Sequence, residues 1–148
     1  MNSLLVYPFQ IIEWNNKDEE PRMPLSITYL GGAIRNAGYP VSLVDLRVEQ
    51  QKRKIRFSLP VSFESDDAKL LTKIMEEKII KNKVDIVGIN CLYSGLFPVV
   101  LHLAKHIKSL NPKIKVSTGG IHPTIYTKEI LDQHHDVIDY VIIGEGES

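Results

Sequence analysis

Two kinds of apolar pattern alternate along the chain. Short runs rich in branched residues occur at Ser3–Tyr7, Val41–Leu46, Asp85–Asn90, Ile114–Thr118 and Asp139–Ile143. Each is nearly continuous in apolar character and short, which predicts strands buried on both faces. Between them, apolar residues recur at helical spacing. Leu25, Ile27, Leu30, Ala33, Ile34 and Ala37 form one stripe, and Leu70, Leu71, Ile74, Met75 and Ile79 a second. Val99, Val100, Leu103, Ala104, Ile107 and Leu110 form a third, and Ile125, Ile130 and Leu131 a shorter fourth. The first helix opens at Pro24, where a missing N–H is tolerated, and Gly38 caps it. The others are predicted over Asp66–Asn82, Leu96–Leu110 (stopped by Asn111-Pro112) and Pro123–Gln133.

Two stretches follow neither pattern. Phe9–Met23 is long and polar and contains Trp14 and the charged run Lys17–Glu20. A loop of that length after a strand is either functional or a solvated insertion. Arg47–Ser65 reads as an irregular excursion, with a short extra strand at Ile55–Leu59 as one option; its basic cluster Lys52–Lys54 and Arg56 suits a solvated face better than a phosphate site. Within the first helix, Gly31-Gly32 costs about 1 kcal/mol per glycine relative to Ala. That cost suggests close helix-to-sheet packing, or a ligand lying between helix and sheet.

Strand and helix alternate throughout, which predicts a doubly wound, Rossmann-like α/β domain with a mainly parallel five-stranded sheet and helices on both faces. The flavodoxin-like order 2-1-3-4-5 is the expectation by analogy. Residues 1–148 form one domain on this reading, and a further helix after Ser148 is the expected cover for the last strand. Lys plus Arg balance Asp plus Glu at 18 each, so no net field points to nucleic acid or an anionic membrane. One cysteine excludes an internal disulfide and any cysteine cluster carried by this chain alone. With no signal peptide or membrane span in the pattern, the expected location is cytoplasmic.

In open parallel sheets, ligands bind outside the carboxyl ends of the strands. Two turns stand there, Asn90–Gly95 and Gly119–Pro123, and the strand–helix–strand unit Asp85–Pro123 joins them. Adjacent glycines at Gly119-Gly120 suit close approach of a flat ligand, although Gly-Gly also makes an inexpensive turn. On the ligand reading, Gly120→Val should harm binding more than folding. Several sites common on α/β sheets are absent. Tyr7-Pro-Phe-Gln offers no Gly-x-Gly-x-x-Gly after the first strand, no Gly-Lys-Ser/Thr loop is present, and Gly-x-Ser-x-Gly is missing. A phospho-receiver would end its third strand in Asp, and here that residue is Asn90. His102 and His106 have zinc-binding spacing without a third ligand and read as a solvated face, as do His134-His135. Asp45 ends a strand and suits a turn cap or a ligand hydroxyl. His122, after the Gly-Gly turn, is the histidine best placed at the ligand mouth.

The chain resembles the amino-terminal cobalamin-binding domain of radical S-adenosylmethionine enzymes. The matching pieces are Pro24–Gly38, Val44-Asp45, Asp85–Gly88, Gly119-Gly-Ile-His-Pro123 and Gly144-Glu-Gly-Glu147, in family order along essentially the whole chain. The wider cobalamin fold carries Asp-x-His-x-x-Gly, then Ser-x-Leu, then Gly-Gly. Here Asn90-Cys91-Leu92 falls at the Ser-x-Leu place, with Asn90 for the serine, and 26 residues, Tyr93 to Thr118, precede Gly119. The first motif is absent: Pro8-Phe-Gln-Ile-Ile-Glu13 stands in its place, with no histidine. The resemblance therefore implies a cobalamin whose cobalt receives no histidine of this chain. It implies that the corrin rests on the carboxyl edge of the sheet against Pro8, Asn90, Cys91, Leu92, Tyr93 and Ser94. Gly119, Gly120, Ile121, His122 and Pro123, and then Gly144, Glu145 and Gly146, would complete the site. A 4Fe-4S cluster and S-adenosylmethionine would belong to a following C-terminal radical domain of the same polypeptide. That domain would be the module's partner, and a methyltransferase is one reaction the resemblance covers. The module would have no catalysis of its own. The rival reading is a degenerate α/β module without cofactor, serving structure or domain contact.

Overall fold

The computed structural model describes residues 1–11 and 21–146. Trp14 and the run Lys17–Glu20, together with Glu147 and Ser148, lie outside the described residues. Five strands form one sheet: β1 (Ser3–Tyr7), β2 (Val41–Asp45), β3 (Ile86–Asn90), β4 (Lys115–Gly119) and β5 (Tyr140–Ile142). Their order is β2-β1-β3-β4-β5 and every pairing is parallel. The helices are α1 (Leu25–Asn36), α2 (Leu46–Lys52), α3 (Asp66–Asn82), α4 (Phe97–Leu110), α5 (Ile121–Ile125) and α6 (Thr127–His134).

Alternation within the strands sorts side chains onto two faces. Leu4, Val6, Val44, Val87, Ile89 and Val116 point to one face and join Leu71, Met75, Val100, Leu103 and Ile107 of α3 and α4 in the main core. Leu5 and Tyr7 point the other way and pack on Ile27 of α1, with Leu30, Ile34 and Val41 around them. The sheet is thus wound on both sides, as the pattern predicts. Gly31 explains part of the α1 glycine pair, because a Cβ there would stand 3.2 Å from Leu43 Cδ2. Gly32 faces open space and has no such reason.

The excursion after β2 differs from expectation. Leu46 starts α2 and is fully buried, and the Asp45 carboxylate caps that helix by accepting from Arg47 N–H at 3.0 Å. Ile55–Leu59 forms no strand. Instead Ile55 and Phe57 are buried in the main core, with the Phe57 ring 5.4 Å from that of Phe9. The predicted helix Pro123–Gln133 is two short helices broken at Tyr126. The first begins at Ile121, so Pro123 sits within the first turn, where a missing N–H leaves no bond unmade.

His102 and His106 do not form a solvated face. His102 Nε2 lies 2.8 Å from Thr72 Oγ1, and the Thr72 hydroxyl donates to Ala68 O, so the imidazole is the donor. Its ring stacks on Phe63 at 4.6 Å. His106 Nε2 lies 2.8 Å from Glu76 Oε2. Both histidines therefore bind α4 to α3. Helical spacing cannot show that a neighbouring helix covers a polar stripe.

Candidate functional site

The strand register aligns a row of residues along the carboxyl edge, on the face that α1 covers. Asp45 is beside Tyr7, Asn90 is beside Gly119, and Gly119 is beside Ile142. Tyr7 and Asn90 each follow the last β1–β3 pair, Val6–Ile89, by one residue. On the β2 side the row is sealed. Arg47 makes a two-pronged pair with Asp45 (Nε–Oδ1 3.0 Å, Nη2–Oδ2 2.7 Å), and its guanidinium carbon lies 3.7 Å over the Tyr7 ring. Asp45 is thus committed within the protein.

The middle of the row is different. Asn90 is only 8% exposed, yet its Nδ2 has no hydrogen-bond partner. Leaving a buried amide donor unmade costs about 1–3 kcal/mol. Beside it the turns after β3 and β4 meet: Cys91 N–H donates to Gly119 O at 2.8 Å. Gly120 has φ +118° and ψ −172°, and a Cβ there would lie 2.5 Å from Cys91 O and 3.2 Å from Asn90 Oδ1. The first need for this glycine is therefore the close approach of the protein's own backbone, which corrects the expectation that ligand space comes before folding at this position. Gly119 and Gly146 likewise face the protein, with Ile142 carbons 3.3 and 3.2 Å from their ideal Cβ positions; Gly144 faces open space.

Beyond this junction, Ser94 Oγ and His122 Nδ1 lie 2.9 Å apart. The His122 ring sits between Phe97 at 4.7 Å and Tyr126 at 4.8 Å, and burial lowers its pKa, favouring the neutral form. Leu92 and Ile121 are exposed at the rim, whereas Pro8, Cys91 and Pro123 are buried and Tyr93 is partly buried against the core. Burial pushes the Cys91 thiol up to about 12, so in the free chain it stays protonated near neutral pH. Gly144 N–H donates to Thr124 Oγ1 at 3.2 Å, while Glu145 is exposed. Residues expected in the three turns thus come together through the Cys91–Gly119, Ser94–His122 and Gly144–Thr124 bonds, and Pro8 is buried at the end of β1. Thr124, Phe97 and Tyr126 were not predicted as site residues. Among the described residues, no group of three His, Cys, Asp or Glu side chains has the geometry to hold a metal ion. No helix among them is long and apolar enough to cross a membrane.

Strand order and the junction of the turns after β3, β4 and β5 define a doubly wound α/β domain with a candidate site at its carboxyl edge. The chain belongs to the B12 binding domain family, whose model matches residues 21–148. It is similar to cytidylyl-2-hydroxyethylphosphonate methyltransferase of Streptomyces wedmorensis, at 29% identity over 128 residues, covering 84% of this chain and 22% of that protein. It is also similar to hopanoid C-3 methylase of Methylococcus capsulatus, at 26% identity over 125 residues, covering 84% of this chain and 20% of that protein. The chain therefore spans about a fifth of the length of these curated relatives.

Proposed function

We propose that the chain binds a cobalamin at the carboxyl edge of the sheet, as the cofactor-holding part of a radical S-adenosylmethionine methyltransferase. The observation that carries this reading is the buried amide of Asn90, whose Nδ2 is unpartnered at the meeting of the two turns. A polar ligand that accepts from it would remove an energetic cost the free protein bears. The side chains and amides of cobalamin are acceptors of the right kind. The exposed apolar rim of Leu92 and Ile121 suits the flat body of a corrin, and Tyr93, Ser94 and Gly144–Gly146 flank the same mouth. When bound, the cofactor would supply a cobalt able to carry a methyl group. This chain's residues would bind and orient it. The iron–sulfur cluster and S-adenosylmethionine belong, on this reading, to a following domain of the same polypeptide. The names of the two relatives, both methylating enzymes, support the methyl-transfer part of the proposal.

A cofactor-free structural module is the rival, favoured by the fact that Gly120 is required by the backbone itself. Calorimetric and absorbance titration with hydroxocobalamin and methylcobalamin separates the two. Saturable heat with a shift of the corrin bands is expected. No change at millimolar cobalamin would sink the cofactor reading.

A further inference from the structure

Each of the three turns at the proposed ligand edge is tied to one short element, α5; two of its side chains make the side-chain ties, beside a backbone bond from Thr124 N–H to Gly120 O at 3.2 Å. His122 reaches the turn after β3: its Nδ1 is 2.9 Å from Ser94 Oγ, and its ring is held between Phe97 and Tyr126. Thr124 reaches the other two. Its hydroxyl donates to Gly120 O at 2.8 Å, in the turn after β4, and accepts from Gly144 N–H at 3.2 Å, in the turn after β5. A hydroxyl can donate and accept at once, and of the side chains of this size only Ser and Thr do so. The backbone closes the same frame where Cys91 N–H meets Gly119 O at 2.8 Å.

We infer that His122 and Thr124 are positioning residues: together they lock the turns after β3, β4 and β5 into one frame before any ligand arrives. The inference rests on the proposed cobalamin site only for its functional readout, because the ties themselves lie within the free protein. It gives the element Gly119-Gly-Ile-His-Pro-Thr124 a physical division of labour. Gly120 permits the backbone junction, Pro123 fills the first helical turn, and His122 and Thr124 carry the cross-links. His122 then acts through Ser94 on the shape of the mouth, and need not touch the ligand. Ordering the turns in advance removes part of the entropy that binding would otherwise cost.

The test uses the 148-residue chain with four single substitutions. Thr124→Val keeps the shape and removes both bonds, whereas Thr124→Ser keeps both. His122→Phe keeps the ring contacts and loses the Ser94 bond; His122→Asn keeps a polar atom at the Nδ1 position and loses the ring. Urea midpoints establish that each variant is folded. Amide exchange and 15N relaxation of residues 91–96 and 144–146 are read without ligand, and hydroxocobalamin affinity is read by titration. Thr124→Val is expected to free the 144–146 segment and weaken hydroxocobalamin binding about tenfold, the scale of one or two net hydrogen bonds. Thr124→Ser is expected to restore both readings. His122→Phe should loosen 91–96, and His122→Asn should recover much of that order. Wild-type order in Thr124→Val and His122→Phe would overturn the inference, as would a Thr124→Ser variant no better than Val. If the unaltered chain shows the ordered turns and the variants loosen them, but hydroxocobalamin does not bind, the frame stands and the cofactor reading falls.

Discussion

Replacing Gly120 by alanine should cost more stability than the same change at Gly144, the other positive-φ glycine beside these turns. Two effects add. The backbone there, at φ +118° and ψ −172°, lies in a region that residues with a Cβ rarely enter. Holding a non-glycine residue there costs of order 1–3 kcal/mol. The new methyl would also stand 2.5 Å from Cys91 O and 2.8 Å from Cys91 C. Those are backbone atoms held by the Cys91 N–H bond to Gly119 O, so they cannot move aside as a flexible side-chain end would. Forced overpacking of that kind typically costs a further 1–3 kcal/mol or so. The sum, roughly 2–6 kcal/mol, is a large share of the ~5–15 kcal/mol that stabilises a domain of ordinary size. Urea unfolding followed by circular dichroism measures it, with Gly144→Ala as a control that is strained but unobstructed. Gly120→Ala should lower the midpoint well beyond Gly144→Ala without changing the slope. Equal midpoints would refute the claim that contact with Cys91, and not backbone conformation alone, fixes a glycine at position 120.

Gly32→Ala should raise stability by about 0.5–1 kcal/mol, because the site is helical and nothing lies within 4 Å of the added methyl; a lowered urea midpoint would contradict this. Asn90→Leu should stabilise the free chain by about 1–2 kcal/mol by removing an unmade donor, while weakening hydroxocobalamin binding. A destabilised variant with intact binding would speak against Asn90 as the ligand's donor partner. Burial alone would raise the Asp139 pKa, but bonds from Lys108, Val116 N–H and Lys115 outweigh it and hold the carboxyl below its usual range. Its contribution is therefore complete above the unfolded-state value near 3.9 and lost as pH falls through the folded value, and Asp139→Asn should flatten that part of the acid-stability curve. Burial, then the charge of His106, lowers the pKa of His102 below 6.5. The stability it confers is full above that unfolded value and declines as pH falls beneath it, a slope that His102→Gln should remove.

The fold was legible because a parallel sheet needs strands buried on both faces, and such strands leave short, continuous apolar runs. Strand order followed only by analogy, since a run such as Val41–Leu46 carries no information about its neighbours. The helices were legible where they were long. Leu46–Lys52 was missed because its apolar residues are few and Asp45 reads equally well as a strand end or a cap. The two turns of the candidate site could be placed in the fold from the glycines and from their position after β3 and β4. Their internal chemistry could not. Thr124 has no periodic signature, and its double hydrogen bond exists only once β5 brings Gly144 alongside. Arg47 over Tyr7 needs the β1–β2 register before it becomes visible.

The two edges of the sheet answer their polar groups differently, and that difference supports the proposed placement of the ligand. At the amino edge the chain is self-sufficient. Asn2 N–H donates to Asp85 at 2.7 Å, its side-chain amide reaches Asn82 O and Lys83 O, and Ser3 Oγ donates to Pro40 O at 2.9 Å. Asp139 accepts from Lys108, from Lys115 and from Val116 N–H. At the carboxyl edge the same sheet keeps Asn90 buried with its amide donor unpartnered, places Gly120 in a conformation open to few residues, and leaves Leu92 and Ile121 exposed, at 42% and 58%. Of these, the unmade donor of buried Asn90 departs from what stability alone favours. Local conflicts of this kind gather where a protein gives up stability for function. A core selected only for structure would have resolved at least the asparagine, since an apolar residue of similar shape satisfies the same packing with no donor to leave unmade. On the proposed function, the acceptor groups of a cobalamin would supply the partner that the Asn90 amide lacks in the free chain.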